Sequence, residues 1–575
     1  MRGPRPARLV AWTVVLLLAV SGCSTVPTSS ATVRITQAAV RPSEHVGIEP
    51  LPPEKGATPE EIVRGFIEAA ASSVPGHPVA RQHLAPGPAG SWSDEAGITV
   101  ISPDYAIVTT DAETVQVTGN LIGTVDSRGV FAVASPGVFT RSFTLKQVDG
   151  QWRITDPHDG LVILEPDFER LYDARAAYFL DPTGQRVVPD PRYLISGEAQ
   201  PTVMVERLLN GPSAGLAAGV RNPLNGVQLR RTVTVSGQTA TVDLTGLATD
   251  PAPVLSDVCA QLVWSLAQLQ IRYVRVLIDG EPVHINRVPL DQTVDDWASF
   301  DPEAMPVDAV GHYVDHGSLR TVGKGSAAPG PAGKGSYGLS SAAVWADSRT
   351  GALSYLTGVS VAAGHATLFA GPYGGALAAS LTGTTLTPPS VAATRAEAWV
   401  VRDGTSVVRV PSGGSAQTVT APTLPGLGRA MALKLSPDGV RAAVVVDGPE
   451  GPTLYVGTVV RAEDGGVALR DLRQVAPSLS RVVDVAWQNS GQLLVLAGDA
   501  GQNRIVPYQV GTDGWGLTSL ATSGLPSQPT TIGAAPNRLP LVSAGGTIWQ
   551  LAGGTWVTLV RGAEPLPGTA PFYPL

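Results

Sequence analysis

The stretch ALKLSPDGVRAAVVVDG, residues 432–448, decides how the C-terminal half of this chain folds. Two short apolar runs flank the turn sequence SPDG at Ser436 to Gly439. Proline and glycine in such a tetrapeptide favour a tight turn, and short runs of apolar and β-branched residues favour buried strands. The stretch therefore predicts two neighbouring strands joined by a tight turn.

Four further segments align with this stretch. They are SAAVWADSRTGALSYLTG (341–358), SVAATRAEAWVVRDG (390–404), DVAWQNSGQLLVLAG (484–498) and TIGAAPNRLPLVSAGG (531–546). The positions taken as equivalent are Trp345, Ala393, Leu435, Trp487 and Ala535. Their spacings are 48, 42, 52 and 48 residues, and repeats of about 40–50 residues with four strands each are typical of a β-propeller. We predict an all-β propeller of about five to six blades over residues 300–575, in which the hairpin at 311–322 either adds strands to one blade or belongs to a sixth.

The residues before the repeats predict a multidomain chain with two small α+β domains. Thr58-Pro59-Glu60-Glu61 combines an N-cap, a proline at the first helical position and a capping box, so a helix begins there. Strand-like alternation follows it, which predicts an α+β domain over residues 58–168. Two helices with intervening hairpins, one beginning at Pro201 and one around Cys259, predict a second α+β domain over residues 172–295.

The first residues have the organisation of a secretory signal. Three arginines precede an apolar run from Leu9 to Val20, which is shorter than the ~20 residues that a membrane-spanning helix needs. Val20-Ser21-Gly22-Cys23 resembles the lipobox of bacterial lipoproteins. We expect a signal peptide over residues 1–22, cleavage between Gly22 and Cys23, lipidation of Cys23 and a polar tether over residues 23–57. The alternative is an ordinary signal peptide followed by a free cysteine.

The net charge and the cysteine content limit where the protein can be located and which partners it can bind. The formal net charge of −8 becomes −11 when residues 1–22, with three arginines and no acid, are removed. A negative chain argues against nucleic acid as the main partner. Because two or more acyl chains anchor a protein stably, we expect a lipid-anchored protein on the extracytoplasmic face of the cell membrane. The other cysteine, Cys259, has apolar neighbours at helical spacing, which predicts a core residue.

One motif has the spacing of a catalytic site. Gly211-Pro212-Ser213-Ala214-Gly215 matches the G-x-S-x-G sequence of a nucleophile elbow. An elbow requires a strand before the serine and a helix after it, whereas Ser213 follows a predicted helix. We interpret the motif as a helix stop.

The other candidate motifs also lack the context that their chemistry needs. Lys334 lies in PGPAGKGS, which departs from a phosphate-binding loop at two positions and predicts a flexible loop. His312 and His316 would lie about 13 Å apart on a strand, too far to share a metal ion. The adjacent Asp295 and Asp296 give no sign of a glycosidase pair, and we predict that the propeller tryptophans pack between blades. We expect no catalytic residue, no metal ion and no cofactor.

The order of these features resembles a known family. The lipobox, PPEKGATPEEIVRGFIEAAAS (52–72), a helix ending in LLNGPSAG (208–215) and a C-terminal propeller are together similar to the actinobacterial lipoprotein LpqB family. VMVERLLNGPSAGL (203–216) and CAQLVWSLAQLQIRYVRVLIDGEPV (259–283) resemble the GerMN domain of sporulation and germination proteins. The resemblance implies an N-palmitoyl, S-diacylglyceryl Cys23 and assigns no catalytic residue.

The resemblance also implies a function. Members are accessories of the MtrA–MtrB two-component system, so we expect a non-enzymatic protein that modulates an MtrB-like sensor histidine kinase by contacting its extracytoplasmic domain, with effects on cell envelope and division. A cell-wall polymer is a second candidate partner. The alternative is a wall glycan- or peptide-binding protein, or an envelope enzyme, that uses the propeller funnel. That alternative predicts polar or acidic side chains converging on the funnel mouth.

Replacing Cys23 by serine tests the lipid anchor. Because a serine hydroxyl does not take the diacylglyceryl group that the thiol accepts, we expect Cys23→Ser to lose incorporation of radiolabelled palmitate. Cys259→Ser, which removes the other cysteine, keeps the label at the wild-type level. Undiminished labelling of Cys23→Ser would contradict the lipobox interpretation.

Overall fold

Residues 50–247, 252–306, 309–347, 350–498, 504–560 and 563–575 are described by a computed structural model of the protein. The predicted signal peptide, Gly22, Cys23 and most of the predicted tether lie outside the described residues. Across those ranges, no helix combines the length and the apolar composition needed to cross a bilayer.

The first helix of the described chain, α1 (Pro59–Ala70), begins as its sequence predicts. The hydroxyl of Thr58 accepts a hydrogen bond from the amide of Glu61, and the Glu61 carboxylate accepts one from the Thr58 amide at 2.7 Å. This capping box satisfies amides that the start of a helix leaves without partners. The predicted apolar stripe is buried; it comprises Ile62, Val63, Phe66, Ile67 and Ala70.

The N-terminal unit packs its helices against one sheet. Its helices are α1, α2 (Pro78–Gln82), α3 (Pro86–Ser91) and α4 (Glu165–Leu171), and its strands are β1 (Gly97–Thr109), β2 (Thr114–Asp126), β3 (Phe131–Val133), β4 (Val138–Val148), β5 (Gln151–Ile154) and β6 (Leu161–Leu164). The strand order is β5-β4-β2-β1-β6, with β3 on β2 and the pair β1–β6 parallel. The predicted β4–β5 hairpin is confirmed by the antiparallel pairing of the two strands. Asp149 and Gly150 in its turn both have positive φ, as a tight two-residue loop requires.

The middle unit is a second α+β arrangement. Its elements are β7 (Tyr172–Leu180), β8 (Val187–Ile195), α5 (Gln200–Leu209), β9 (Gln228–Leu229), β10 (Thr234–Ser236), β11 (Thr239–Thr245), α6 (Ala252–Ala267), β12 (Tyr273–Ile278), β13 (Glu281–Pro282) and β14 (Asp291–Gln292). Strands β7 and β8 form a separate hairpin, while β11 and β12 are parallel and connected through α6. Cys259 on α6 is 1% exposed, and burial raises the pKa of its thiol to about 12. The thiol is therefore protonated and unreactive, as predicted for a core residue.

In its described residues, the C-terminal unit consists of short strands and two single-turn helices. The helices are α7 (Gly330–Gly333) and α8 (Leu424–Leu427). The strands are β15 (His312–Asp315), β16 (Ser318–Thr321), β17 (Leu339–Ala346), β18 (Leu353–Ala362), β19 (His365–Pro372), β20 (Ala378–Gly383), β21 (Ser390–Ala392), β22 (Arg395–Arg402), β23 (Ser406–Pro411), β24 (Gln417–Thr418), β25 (Arg429–Leu435), β26 (Arg441–Gly448), β27 (Gly451–Arg461), β28 (Val467–Gln474), β29 (Ser480–Asn489), β30 (Gln492–Gly498), β31 (Ile505–Gly511), β32 (Thr518–Ser519), β33 (Pro529–Gly533), β34 (Leu541–Ala544), β35 (Thr547–Ala552), β36 (Thr555–Thr558), β37 (Leu566–Pro567) and β38 (Thr569–Phe572).

These strands form the predicted propeller, with six sheets among the described residues. Blade 1 contains β16, β15 and β38; blades 2 to 5 each take four consecutive strands from β17 to β32; blade 6 takes β33 to β37. The hairpin at 311–322 therefore does not add strands to one of the five repeat blades. Together with the final strand, β38, it forms a blade of its own, blade 1. Because β38 comes from the end of the chain and pairs with β15, the ring closes through both of its ends.

One histidine lies at the point of closure. His312 on β15 is fully buried and stacks on Phe572 of β38 with ring centroids 5.6 Å apart. Its Nε2 lies 2.8 Å from the hydroxyl of Tyr373, and its Nδ1 lies 2.9 Å from the carbonyl of Val310. Burial lowers the pKa of His312 to about 4, so the ring is neutral at physiological pH.

Equivalent positions of the repeats meet at blade boundaries. The indole N–H of Trp345 donates to the carbonyl of Ala393 in the next blade at 3.1 Å, and that of Trp487 donates to the carbonyl of Lys434 at 2.8 Å. Packing of tryptophans between blades is confirmed at these two positions. The SPDG turn is also confirmed, since the buried hydroxyl of Ser436 accepts a hydrogen bond from the amide of Arg441 at 2.9 Å.

A buried ion-pair network joins the middle unit to the propeller. Asp190 and Arg192 on β8 form an ion pair of 2.9 Å, with side chains 4% and 0% exposed. Arg441 on β26 donates to the carbonyl of Pro189 at 2.6 Å. Burial alone would raise the pKa of Asp190, but Arg192, the amide of Ser213 and Arg441 hold it below its usual range. Asp190 therefore stays ionised and neutralises buried positive charge from both domains.

The same carboxylate explains the G-x-S-x-G sequence. The amide and the hydroxyl of Ser213 donate to Asp190 at 2.6 and 2.9 Å, and Ser213 is buried. Two residues later, the carbonyl of Gly215 accepts a hydrogen bond from Thr458 of the propeller. Ser213 follows α5, which ends before Gly211 at a positive φ of 83°. The helix-stop interpretation is confirmed, and the loop also fastens two domains together.

The segment between the middle unit and the propeller is fixed to both. The guanidinium of Arg186 donates to the carbonyls of Pro302 and Ala304 at 3.1 and 2.7 Å. The hydroxyl of Ser490 in the propeller donates to the same Pro302 carbonyl at 3.2 Å. The segment therefore adds polar contacts between the domains.

Asp190→Asn tests the ion-pair network. The substitution removes the charge that neutralises Arg192 and Arg441, so we expect a loss of about 3–5 kcal/mol in the free energy of unfolding. Ser213→Ala keeps that charge and removes one hydrogen bond, which we expect to cost about 1 kcal/mol. Urea unfolding of the two variants measures both losses, and equal losses would contradict this assignment.

The neutral His312 predicts that acid weakens the closure of the ring. Between a folded pKa of about 4 and an unfolded pKa of about 6.5, only the unfolded chain binds the proton, so stability falls as pH falls. From pH 7 to pH 5 we expect His312 to contribute a loss of about 2 kcal/mol. Unfolding curves at both pH values check this: His312→Gln lacks that part of the loss, whereas the variant of the exposed His316, His316→Gln, retains it. A pH dependence that is the same in all three chains would refute the assignment.

Candidate functional site

Four aromatic rings meet where the three units come together. Phe131 and Phe168 belong to the N-terminal unit, Tyr193 to β8 and Trp515 to the propeller. The ring centroid of Trp515 lies 4.9, 5.0 and 5.9 Å from those of Phe131, Phe168 and Tyr193, with edge-to-face geometry in each case. Such contacts are favourable beyond the apolar area that they bury. The cluster holds the N-terminal unit against the other two.

A buried hydrogen bond supports this cluster. The hydroxyl of Tyr193 donates to Asp513 Oδ2 at 2.9 Å. Burial raises the pKa of Asp513, and burial together with the neighbouring Asp513 raises the pKa of Tyr193. The phenol is therefore protonated at neutral pH and acts as a donor between two domains, not as an acid or base for a substrate.

The propeller channel is narrow and mostly apolar. Its cavity volume is about 60 Å³, room for roughly two water molecules. The lining residues are Ala342, Ala343, Pro389, Ser390, Val391, Lys434, Leu435, Ala486, Trp487, Ile532, Gly533, Ala534, Pro571, Phe572, Tyr573 and Leu575. The last residue, Leu575, is hydrogen bonded to the backbone of Val344 and Ala346 on the inner strand of blade 2. None of the described residues that line this cavity is an acid.

A larger cleft lies between the middle unit and the propeller. It has a volume of about 940 Å³, and Phe300 and Trp345 are its half-buried aromatic residues. Arg186 also lines it, but its guanidinium donates to backbone carbonyls of the connecting segment. The indole N–H of Trp345 is likewise occupied by Ala393. Arg186 and Trp345 therefore already have partners within the fold. The other polar residues that line the cleft are Gln185, Ser299, Asp347 and Thr394.

A second groove, of about 430 Å³, lies between the N-terminal unit and the propeller. One wall comes from residues between 120 and 137 and from Glu165 and Glu169 on α4, and the other from residues 475–478 and 514–518. Most of the lining is apolar. Burial, followed by the nearby Glu169 charge, raises the pKa of Glu165.

The remaining sequence candidates are not brought together into a site. His312 is buried in blade 1, whereas the side chain of His316 is 91% exposed and contacts Asp315. Lys334 is exposed and follows the single-turn helix α7. Asp296 accepts hydrogen bonds from Thr293, at 2.7 Å from its amide and 2.9 Å from its hydroxyl, and so caps a short 3₁₀ helix.

The part of the chain that the structure describes contains no cluster of metal-ligating side chains. Within it, no three His, Cys, Asp or Glu side chains lie close enough to hold a metal ion. Gly22 and Cys23, the predicted cleavage and lipidation positions, lie outside the described residues. For them the sequence remains the basis of the prediction.

Sequence reasoning missed both the aromatic junction and the second groove. The walls of that groove are separated by more than 300 residues in the chain, and no local period connects them. The available signal was Trp515, a large aromatic residue in the turn sequence GTDGWG. An aromatic residue in a polar turn is a weak sign of a contact surface and does not by itself predict one.

Three family models match the chain in sequence order. "Lipoprotein LpqB, N-terminal domain" matches residues 52–169, "Sporulation and spore germination" matches residues 176–284 and "Lipoprotein LpqB beta-propeller domain" matches residues 317–574. They correspond to the N-terminal unit, the middle unit and the propeller described above.

Solved structures resemble the chain only remotely. TolB from Acinetobacter baumannii is 8% identical, with a TM-score of 0.33, and the match covers 60% of this chain and 98% of that one. The tandem GerMN domains of the sporulation protein GerM from Bacillus subtilis are 15% identical, with a TM-score of 0.17, over 21% of this chain and 47% of that one. Neither similarity is high enough to support an argument.

Curated relatives are similar over nearly the whole chain. Lipoprotein LpqB of Rhodococcus opacus (strain B4) is 32% identical over 90% of this chain and 89% of its own length. Lipoprotein LpqB of Mycobacterium bovis (strain BCG / Pasteur 1173P2) is 31% identical over 99% of this chain and 100% of its own length. These names describe a lipoprotein and not an enzyme, and the predicted resemblance is confirmed: the chain belongs to the lipoprotein LpqB family.

Proposed function

We propose that the protein is a lipid-anchored, extracytoplasmic regulator that modulates an MtrB-like sensor histidine kinase by direct contact, and so affects cell envelope and division. Membership of a lipoprotein family supports the anchor. The predicted signal peptide, with Cys23 as the first mature residue, supports the extracytoplasmic location. The observation that carries the proposal is the packing of three domains into one unit through buried polar and aromatic contacts.

The domain contacts favour a rigid recognition surface. Tyr193 is bonded to Asp513, Arg441 to the Pro189 carbonyl, and Arg186 to the connecting segment, so the boundary between the middle unit and the propeller has several buried polar contacts. A surface that is already ordered loses less conformational entropy when a partner binds. Such a body suits recognition of a folded neighbour better than it suits a catalytic cycle that needs domain movement.

The predicted tether complements this body. A lipid on Cys23, followed by the polar residues up to about 57, would hold the domains beside membrane neighbours. Confinement of this kind gives effective concentrations in the millimolar range. Modest contacts with a kinase in the same membrane are then sufficient, and high affinity in solution is not required.

The glycan or enzyme alternative has less support. Ligand pockets typically have volumes of about 300–1,000 Å³, whereas the channel has about 60 Å³ and an acid-free lining. A cell-wall polymer, as a second partner, would have to use the cleft near Trp345 or an outer surface. For this reason we place the function in protein contact and not in the propeller funnel.

Crosslinking in intact membranes tests the proposed function. With the full-length tagged chain, we expect a short crosslinker to recover the sensor kinase. Cys23→Ser loses the local concentration that the anchor supplies, so we expect recovery to fall by about a hundredfold or more. Cys259→Ser, which leaves the anchor intact, recovers the kinase as the wild type does.

Two results would count against this function. One is the absence of the kinase among proteins crosslinked to the wild-type chain in membranes that contain both. The other is turnover of a wall glycan or peptide by the purified chain, measured by mass spectrometry of the products.

A further inference from the structure

The groove between the N-terminal unit and the propeller has the features of a protein-binding surface. Its walls come from two units that the aromatic cluster around Trp515 holds together. Five of its apolar side chains are only partly buried, so they remain accessible from the groove; they are Leu121, Ile122, Val133, Trp515 and Leu517. Its volume of about 430 Å³ is sufficient for a few side chains of a partner.

Trp515 offers an anchor point in this groove. One edge of its ring packs on Phe131 and Phe168, which fixes its position. Eight other tryptophans donate their indole N–H to a protein acceptor, namely Trp92, Trp264, Trp297, Trp345, Trp399, Trp487, Trp549 and Trp556. Among the described residues, Trp515 and Trp152 have no such acceptor, and of these two only Trp515 lines the groove. A pre-positioned tryptophan with a spare donor is typical of the residues that dominate binding energy at interfaces.

The charge of the groove restricts the chemistry of its occupant. Glu165 and Glu169 are one helical turn apart on α4 and therefore lie on the same face of that helix. In the described part of the chain neither carboxylate has an ion-pair partner, since the arginine on this helix, Arg170, pairs with Asp167 at 2.8 Å. Two uncompensated carboxylates beside an apolar surface favour a cationic partner and disfavour an anionic one.

We propose that this groove binds a segment of a protein partner in which apolar side chains are flanked by lysine or arginine. The apolar side chains would pack on Trp515 and Leu517, and the basic side chains would pair with Glu165 and Glu169. This inference rests on the proposed function in taking the partner to be the extracytoplasmic part of the sensor kinase. It adds to that function the surface and the chemistry of the segment that is recognised.

Site-specific crosslinking distinguishes this surface from the rest of the protein. A photoreactive amino acid is placed in the full-length chain at Thr518, on the propeller wall of the groove, or at Glu463, an exposed control in the turn at the opposite end of β28 from the groove. We expect the kinase to be captured from position 518 and not from position 463. If membrane crosslinking with a general reagent recovers the kinase but position 518 does not, the groove is wrong while the proposed function stands.

A peptide experiment tests the groove without the kinase. The probes are a fluorescein-labelled peptide of alternating leucine and lysine and its counterpart of leucine and glutamate, titrated with the full chain in detergent. We expect the basic peptide to bind and the acidic peptide not to bind. Glu169→Arg weakens binding of the basic peptide by about tenfold, whereas Glu463→Arg, which makes the same charge change elsewhere, leaves it within twofold.

Both outcomes of the peptide experiment are informative. Glu169 is exposed and makes no ion pair among the described residues, so the melting temperature of Glu169→Arg should match that of the wild type. Equal binding of the basic and acidic peptides, or equal effects of Glu169→Arg and Glu463→Arg, would overturn the proposal. Binding of the basic peptide at the groove without capture of the kinase by any crosslinker would retain the groove and remove the kinase as its partner.

Discussion

The ionised carboxylate of Asp190 is the interaction on which the arrangement of the domains depends. It binds Arg192 on its own strand, accepts two hydrogen bonds from Ser213 and lies near Arg441 of the propeller. Charges buried this deeply are tolerated only when they compensate one another. Asp190, Arg192 and Ser213 all belong to the middle unit, and the propeller completes the network through Arg441, whose guanidinium donates to the Pro189 carbonyl. Packing of the N-terminal unit through Tyr193 and Trp515 builds on the same strand, β8.

The ring closure has a comparable role within the propeller. Strand β38 completes blade 1, and the residues after it occupy the central channel, with Leu575 bonded to the backbone of blade 2. The end of the chain thus both closes the ring and lines the central channel. The surfaces left for recognition are the outer faces and the spaces between domains.

The G-x-S-x-G sequence shows that a glycine-rich chain can match a catalytic motif without having the catalytic site. With 64 glycines in 575 residues, matches to short glycine-containing patterns are expected by chance. The serine of an elbow is exposed on a strained turn between a strand and a helix. Ser213 is buried, follows a helix and donates to a carboxylate. The residues around it were therefore more informative than the pattern itself, and they assign it to domain packing.

By itself, the sequence determined the features that are local or periodic. The capping box at Thr58, the hairpin at Asp149-Gly150, the core position of Cys259 and the five propeller repeats all follow from neighbouring residues, so their chemistry can be read without the fold. The tertiary structure alone decided that blade 1 joins the two ends of the propeller, that Ser213 donates a hydrogen bond to Asp190, and that Glu165 shares a groove with Trp515. Those interactions link residues that are far apart in the chain. They form only when the chain has folded and has brought these residues together.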